Sequence, residues 1–165
     1  MPHSPLSLYL QDHLAGATAG VNLARRCAAT GGRGESGRTL TGVASEIEED
    51  RETLVRLMGD LGIRGSAGKN AGAWIAERLA RLKPNGRLRG EPSMQRLHEL
   101  EALSLGIAGK IGLWEALRSA PEVQAIDGLD LTDLELRARS QRERVESERL
   151  ASARAAFATP APASG

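Results

Sequence analysis

Apolar residues recur at spacings of three and four along most of the chain, which is the period of an α-helix. The first such pattern predicts a helix from Pro5 to about Ala29, with Ser4 as its N-cap residue and proline at the first helical position. Its apolar stripe consists of Leu6, Leu10, Leu14, Ala17, Val21, Ala24 and Ala28. The glycine-rich residues 30–38 that follow predict a flexible loop.

A second helix is predicted from about Leu40 to Leu61, ended by Gly62. Its stripe follows a heptad, and Asp50 is the polar exception in it. A shorter helix is predicted from about residue 66 to residue 83. Its apolar side consists of Ala71, Trp74, Ile75, Leu79 and Leu82.

The segment Leu97 to Leu117 is apolar on nearly every side of a helix, which is typical of the central helix of a bundle. The helix is predicted to begin after Ser93 and to continue to about Ser119. Three charged side chains inside it argue against a membrane span. These are Glu101, Lys110 and Glu115.

The last predicted helix runs from Thr132 to about Phe157 and is only weakly apolar. Thr132 and Glu135 have the spacing of a capping box. The segment 137–149 is rich in Arg and Glu, and we expect this charged part of the helix to project beyond the others.

These elements predict an all-α protein, an antiparallel four-helix bundle with an additional short helix in the connection between the second and third long ones. The bundle forms one domain over residues 1–157. Residues 158–165 are rich in Pro, Ala and Ser and predict a disordered tail.

The composition of the chain indicates which kinds of binding partner and which cellular compartment to expect. The chain has 22 Lys and Arg residues against 21 Asp and Glu, so it lacks the basic excess expected of a nucleic-acid-binding protein. The N-terminus has no basic and apolar signal pattern, so we expect a cytoplasmic protein. Cys27 is the one cysteine, which excludes an intrachain disulfide, and we expect it to be a small buried residue rather than a nucleophile.

Polar residues on apolar helix faces are the candidate functional residues. His13 adjoins the stripe of the first helix. Asp50 lies in the stripe of the second, with Glu46 one turn before it. Glu101 lies three residues after His98, on one face of the central helix. Carboxylates and imidazoles on facing helices can hold iron or manganese, so one hypothesis is a metal site formed by His13, Glu46, Asp50 and Glu101.

The second interpretation of these residues is structural. Di-iron bundles use a Glu-x-x-His motif on two of their helices, and this chain contains no such motif. Asp50 and Glu101 are then partly buried carboxylates that pair with Arg or Lys of neighbouring helices and fix the register of the bundle. The missing motif favours this interpretation.

Glycines form a ridge on two of the predicted helices. Gly16 and Gly20 lie one turn apart on the first helix, and Gly106, Gly109 and Gly112 recur every three residues on the central one. Because glycine weakens a helix, the two ridges suggest close approach of neighbouring backbones, and leucine at Gly16 or Gly109 is expected to destabilise the fold. A small-molecule pocket between these two helices, where the glycines thin the packing, is the alternative.

Four stretches of the chain resemble a family of uncharacterised bacterial, actinobacterial-type proteins. They are YLQDHLAGATAGVNLARR (9–26), EIEEDR (46–51), RLKPNGRLRG (81–90) and LHELEALSLGIAGKIGLWEAL (97–117). The family resembles the ferritin-like superfamily, and the resemblance implies a helical bundle with a crossover connection. It also implies candidate ligands at Asp12 or His13, Glu46 or Glu49, Asp50 and Glu101.

We therefore expect a non-catalytic, cytoplasmic helical-bundle protein with a structural or protein-interaction role, whose partner is another protein or a second copy in a homodimer. The alternative is a degenerate ferritin-like protein or oxidoreductase that binds iron or manganese. Neither nucleic acid nor a membrane is expected as a partner, and no catalytic or other cofactor-binding residue is predicted.

Overall fold

The computed structural model describes residues 4–64 and 92–158. The helices in these two ranges are α1 (Pro5–Thr30), α2 (Glu35–Asp60), α3 (Pro92–Leu117), α4 (Pro121–Gln124) and α5 (Leu131–Phe157). No strand occurs in either range, so the all-α prediction is confirmed for the described part of the chain. The predicted helix 66–83 and residues 159–165 of the predicted tail lie outside the described residues.

The start of α1 follows the local chemistry of the sequence. The Ser4 hydroxyl accepts a hydrogen bond from the backbone N–H of Ser7 at 3.1 Å, and Pro5 opens the helix, as predicted. At the start of α5 the prediction was wrong in one respect. The capping side chain is that of Asp130, two residues before Thr132, and its carboxylate accepts from the backbone N–H groups of Thr132 and Asp133.

The connection between α1 and α2 is a tight turn rather than the flexible loop predicted over residues 30–38, and α2 begins at Glu35 rather than near Leu40. Gly32 has a φ of +72°, which favours glycine. A Cβ atom on Gly37 would lie 1.8 Å from the carbonyl oxygen of Gly32. Glycine at position 37 therefore lets the first turn of α2 pack directly on the turn that precedes it.

Contacts between the long helices show which of them are antiparallel and which are parallel. Helices α1 and α2 form an antiparallel hairpin, and α3 and α5 form another, since Arg139 pairs with Glu115 late in α3 and Arg149 lies beside Glu101 early in it. Helices α1 and α3 are also antiparallel, because Arg96 near the start of α3 donates to residue 30 at the end of α1. It follows that α2 and α3 run in the same direction.

The core consists of aliphatic side chains from all four long helices, with Trp114 as its largest member. The heptad of α2 points into it as predicted. Helix α3 is not buried on every side, however. Leu105 is 56% exposed, and Gly106 and Gly109 are exposed beside it, so one face of the most apolar helix is left uncovered by the described residues.

The charged segment 137–149 of α5 packs along α2 and α3 instead of projecting beyond them. Its side chains lie on the flanks of a buried stripe that includes Ala138 and Val145, so they meet oppositely charged or polar groups of both neighbours. The cross-helix pairs are Arg137 with Asp50, Arg144 with Glu46, Glu146 with Ser104, Glu148 with Ser36 and Arg149 with Glu101. None of the helices in residues 4–64 and 92–158 has the length and apolar content that crossing a membrane requires.

Candidate functional site

A buried polar cluster lies where α2, α3 and α5 meet, and Asp50 is its centre. The carboxylate of Asp50 is 1% exposed. Lys110 Nζ and Arg137 Nη2 donate to its two oxygens, and Gln141 Nε2 donates to Oδ2 at 3.1 Å. Lys110 also donates to the amide oxygen of Gln141. The interpretation that Asp50 pairs with basic residues of neighbouring helices therefore matches the structure.

The cluster contains one buried carboxylate and two cations. Burial lowers the pKa of Lys110, and the attraction of Asp50 opposes that shift. Arg137 reaches further out, where Glu49 lies 3.5 Å from its Nη1 atom. Both oxygens of Asp50 have donors, whereas the buried Nε–H group of Arg137 has no acceptor among the described residues.

Sequence reasoning found Asp50 and missed its partners, although signals for two of them were present. Gln141 lies between Ala138 and Val145 in the buried stripe of α5, where an apolar residue is the norm. Lys110 is a cation inside the most apolar segment of the chain. A polar residue in an apolar stripe is expected to need a hydrogen-bonding partner in the interior. The stripe does not show which residue that partner is.

His13 lies on the half-buried flank of α1. Its ring makes an edge contact with the ring of Tyr9, at a centroid distance of 4.5 Å. Burial lowers its pKa, while the nearby carboxylate of Asp12 acts in the opposite direction. His13 and Asp50 line the same cleft, whereas Glu46 and Glu101 do not.

The two remaining candidate ligands are held by different arginines. Glu46 pairs with Arg144 of α5. Glu101 lies 3.7 Å from Arg149, and its other oxygen is 3.5 Å from His98, which confirms that His98 and Glu101 share one face of the helix.

These positions bear on the metal hypothesis. In residues 4–64 and 92–158, no three His, Cys, Asp or Glu side chains form a group that could hold a metal ion. Both oxygens of Asp50 accept hydrogen bonds from cations, so their lone pairs are already engaged and compete poorly for a metal ion. The described donors therefore do not fit an iron or manganese centre, and binding of either metal stays a prediction from the sequence.

Cys27 carries no reactive chemistry in this fold. The residue is buried near the end of α1, and burial raises the pKa of its thiol to about 11. Because the thiolate is the nucleophilic form, a thiol with so high a pKa is inert at neutral pH.

A cleft of about 440 Å³ separates α1 from α3. Its lining on α3 extends from Ala102 to Trp114, which is about 18 Å along the axis at 1.5 Å per residue. Helix α2 closes the bottom of the cleft with Ile47, Asp50 and Leu54. Most of the lining is apolar, and the polar groups on it are few.

The glycine ridges line this cleft rather than a close helix contact. Among the described residues, no atom lies within 4 Å of a Cβ built on Gly20, Gly106, Gly109 or Gly112. The expectation of closely approaching backbones is therefore wrong for these four positions. The missing side chains leave open space between α1 and α3.

Two hydrogen-bond donors belong to the wall that α3 contributes. Lys110 lines the cleft with its side chain and is 13% exposed. Trp114 lies one turn later and is 1% exposed, and its Nε1–H group has no acceptor in the part of the chain that the structure describes. An unpaired buried N–H group costs about 1–3 kcal/mol.

Comparison with known proteins adds no relative, since no family model, no curated protein and no solved structure matches the chain. The functional argument therefore depends on the cleft and the polar cluster themselves.

Proposed function

We propose that the protein is a non-catalytic binding protein whose ligand is a small, mainly apolar molecule held in the cleft between α1 and α3. The observation that carries the proposal is the cleft itself. Its volume of about 440 Å³ falls in the range of ligand sites, and its lining combines apolar walls with a few polar groups. One of those groups, Lys110, also has a pKa perturbed by burial, which is common at binding sites.

The helix directions support a ferritin-like bundle as the scaffold of this site. Two antiparallel hairpins are joined so that α2 and α3 are parallel, and this order needs a long crossover connection of the kind found in ferritin-like bundles. In those folds ligand sites lie in the bundle between facing helices, which is where the cleft lies. These residues therefore favour a ferritin-like bundle that binds a ligand in its cleft and lacks the di-metal ligands.

Titration calorimetry of the full chain with 1-decanol, a neutral apolar probe, tests the proposal. We expect saturable binding with one molecule per chain. Gly109→Leu should abolish it, because the added side chain fills the cleft, while Gly59→Leu provides the matched control. Gly59 is an exposed helical glycine that does not line the cleft. No binding by the wild-type chain, or equal binding by Gly109→Leu, would contradict the proposal.

A protein-interaction role is the second candidate, and a stripe on α5 favours it. Leu136, Leu150 and Phe157 are spaced by multiples of seven, so they share one face, and they are 60%, 48% and 68% exposed. The occupant of this face would be a second copy of the chain, paired through the heptad spacing typical of helix dimers. Sedimentation equilibrium tests the idea: a dimer that Leu150→Glu converts to a monomer supports it, and a wild-type monomer at all concentrations rejects it.

A further inference from the structure

The cleft wall formed by α3 carries an ammonium group with unused donor capacity. Lys110 Nζ makes hydrogen bonds to Asp50 Oδ2 and Gln141 Oε1. An ammonium group has three hydrogens, so one donor remains after these two bonds. Gln141 is fully buried and does not line the cleft, whereas Asp50 and Lys110 both do.

The charges around Lys110 favour an anion. Asp50 is the only carboxylate in contact with both Lys110 and Arg137 among the described residues, so one negative charge is shared by two positive ones. Glu49 meets Arg137 on the outer side and is 59% exposed, so solvent screens that contact. The third N–H group of Lys110 is the donor left over in this arrangement, and a ligand carboxylate in the cleft is a strong, charge-assisted acceptor for it.

Other polar groups of the cleft indicate whether a ligand carboxylate would bind on its α1 side or its α3 side. Asp12 is exposed on the α1 side and would repel an anion there. Arg51 donates its Nε–H to Thr18 and lies on the exposed side as well. The α3 side offers Lys110, together with the unpaired Nε1–H of Trp114 one turn away.

We propose that the ligand is an amphipathic carboxylate with an unbranched apolar chain of about ten carbons. Its chain lies along the glycine ridges, and its carboxylate accepts a hydrogen bond from Lys110 Nζ. An extended chain of this size is shorter than the lining of α3, so the cleft accommodates it. This assignment rests on the proposed function of the cleft and adds the chemistry of the head group.

Calorimetric titration of the full chain with decanoate and with 1-decanol tests the head group, because the two probes share the chain and differ in charge. We expect decanoate to bind at least ten times more tightly than decanol. In Lys110→Met the affinity for decanoate should fall to that for decanol, while decanol binds as before. Arg144→Met is the matched control, since it removes a cation that pairs with a carboxylate of α2 and does not line the cleft.

The outcomes distinguish two claims: that the cleft binds an apolar ligand, and that this ligand carries a carboxylate. Equal affinities for decanoate and decanol in the wild-type chain would overturn the carboxylate assignment and leave the proposed function standing. If neither probe binds, both fail. If both probes bind only after Trp74→Ser and Leu79→Ser are introduced together, the chain's own residues 65–91 occupy the cleft, and that result overturns both as well. The wild-type comparison remains decisive even if Lys110→Met folds poorly.

Discussion

Two polar residues within apolar stripes, Asp50 and Gln141, are held by polar residues of other helices. Asp50 is the clearest case, because the heptad of α2 carries it into the interior, where Lys110, Arg137 and Gln141 meet it. The stripe predicted that Asp50 would be buried. It did not predict the partners, since hydrogen-bonding groups on other helices leave no trace in the periodicity of α2.

Removal of the Asp50 carboxylate should be strongly destabilising. We expect Asp50→Ala to lower the free energy of unfolding by about 3–5 kcal/mol, because Lys110 and Arg137 are left with no buried counter-charge. Urea denaturation measures this change. Glu46→Ala is the control, since it removes a carboxylate from a partly exposed pair with Arg144 and should cost only about 0–1 kcal/mol. Equal losses in the two variants would show that the cluster is not the stabilising element.

His13 should make the fold sensitive to acid. Burial lowers the pKa of His13 in the folded state, so the unfolded chain binds the proton more readily. The stability that depends on neutral His13 is complete above about pH 6.5 and is lost as the pH falls from there towards the lowered pKa. Urea midpoints at pH 7.5 and pH 5 should therefore differ more in the wild-type chain than in His13→Gln. An unchanged pH dependence in the variant would rule out this role.

At the scale of the elements, local signals predicted where helices begin and end more successfully than what their surfaces contact. Ser4, Pro5 and Gly62 act at the helix ends as expected, because capping depends on residues within one turn. The glycines of α3 were assigned to a close helix contact and instead line an open cleft. A run of small residues shows that a helix face has little side-chain bulk. It does not show whether a neighbouring helix packs into the space above that face.

The open position of Gly109 leads to a prediction for alanine, whereas the sequence prediction was that leucine destabilises the fold. Gly109→Ala should raise the free energy of unfolding by about 0.5–1 kcal/mol, because alanine restricts the unfolded chain and its Cβ meets no described atom. Gly37→Ala should be destabilising, since its Cβ would collide with the carbonyl oxygen of Gly32. Urea denaturation of both variants tests the pair. Destabilisation by Gly109→Ala would indicate that the cleft is filled in solution.

At the scale of the whole molecule, the charged side chains of α5 tie two helix hairpins together. The segment 137–149 was expected to project, yet it forms ion pairs with both α2 and α3. The same pairs occupy three of the four candidate metal ligands: Asp50, Glu46 and Glu101 each have an arginine partner. Only His13 is left beside the cleft without a cationic partner in the described residues.

The metal content of the purified protein should accordingly be low. We expect less than about a tenth of an equivalent of iron or manganese in untagged protein from cells supplied with both metals, because the candidate carboxylates are paired with basic residues. Elemental analysis measures it. A near-stoichiometric metal content that disappears in both Asp50→Ala and Glu101→Ala would refute this expectation and restore the metal hypothesis.

The sequence by itself determined the long helices, the cap at Ser4, the end of α2 at Gly62 and the burial of Asp50, because each of these depends on side chains within a few turns of one another along the chain. Tertiary structure decided which faces meet. It placed Lys110 and Gln141 against Asp50, turned the arginines of α5 inwards, and set the glycines of α3 beside an open cleft. These outcomes depend on distances between residues 30 to 90 positions apart, and only the packing of the helices brings such residues into contact.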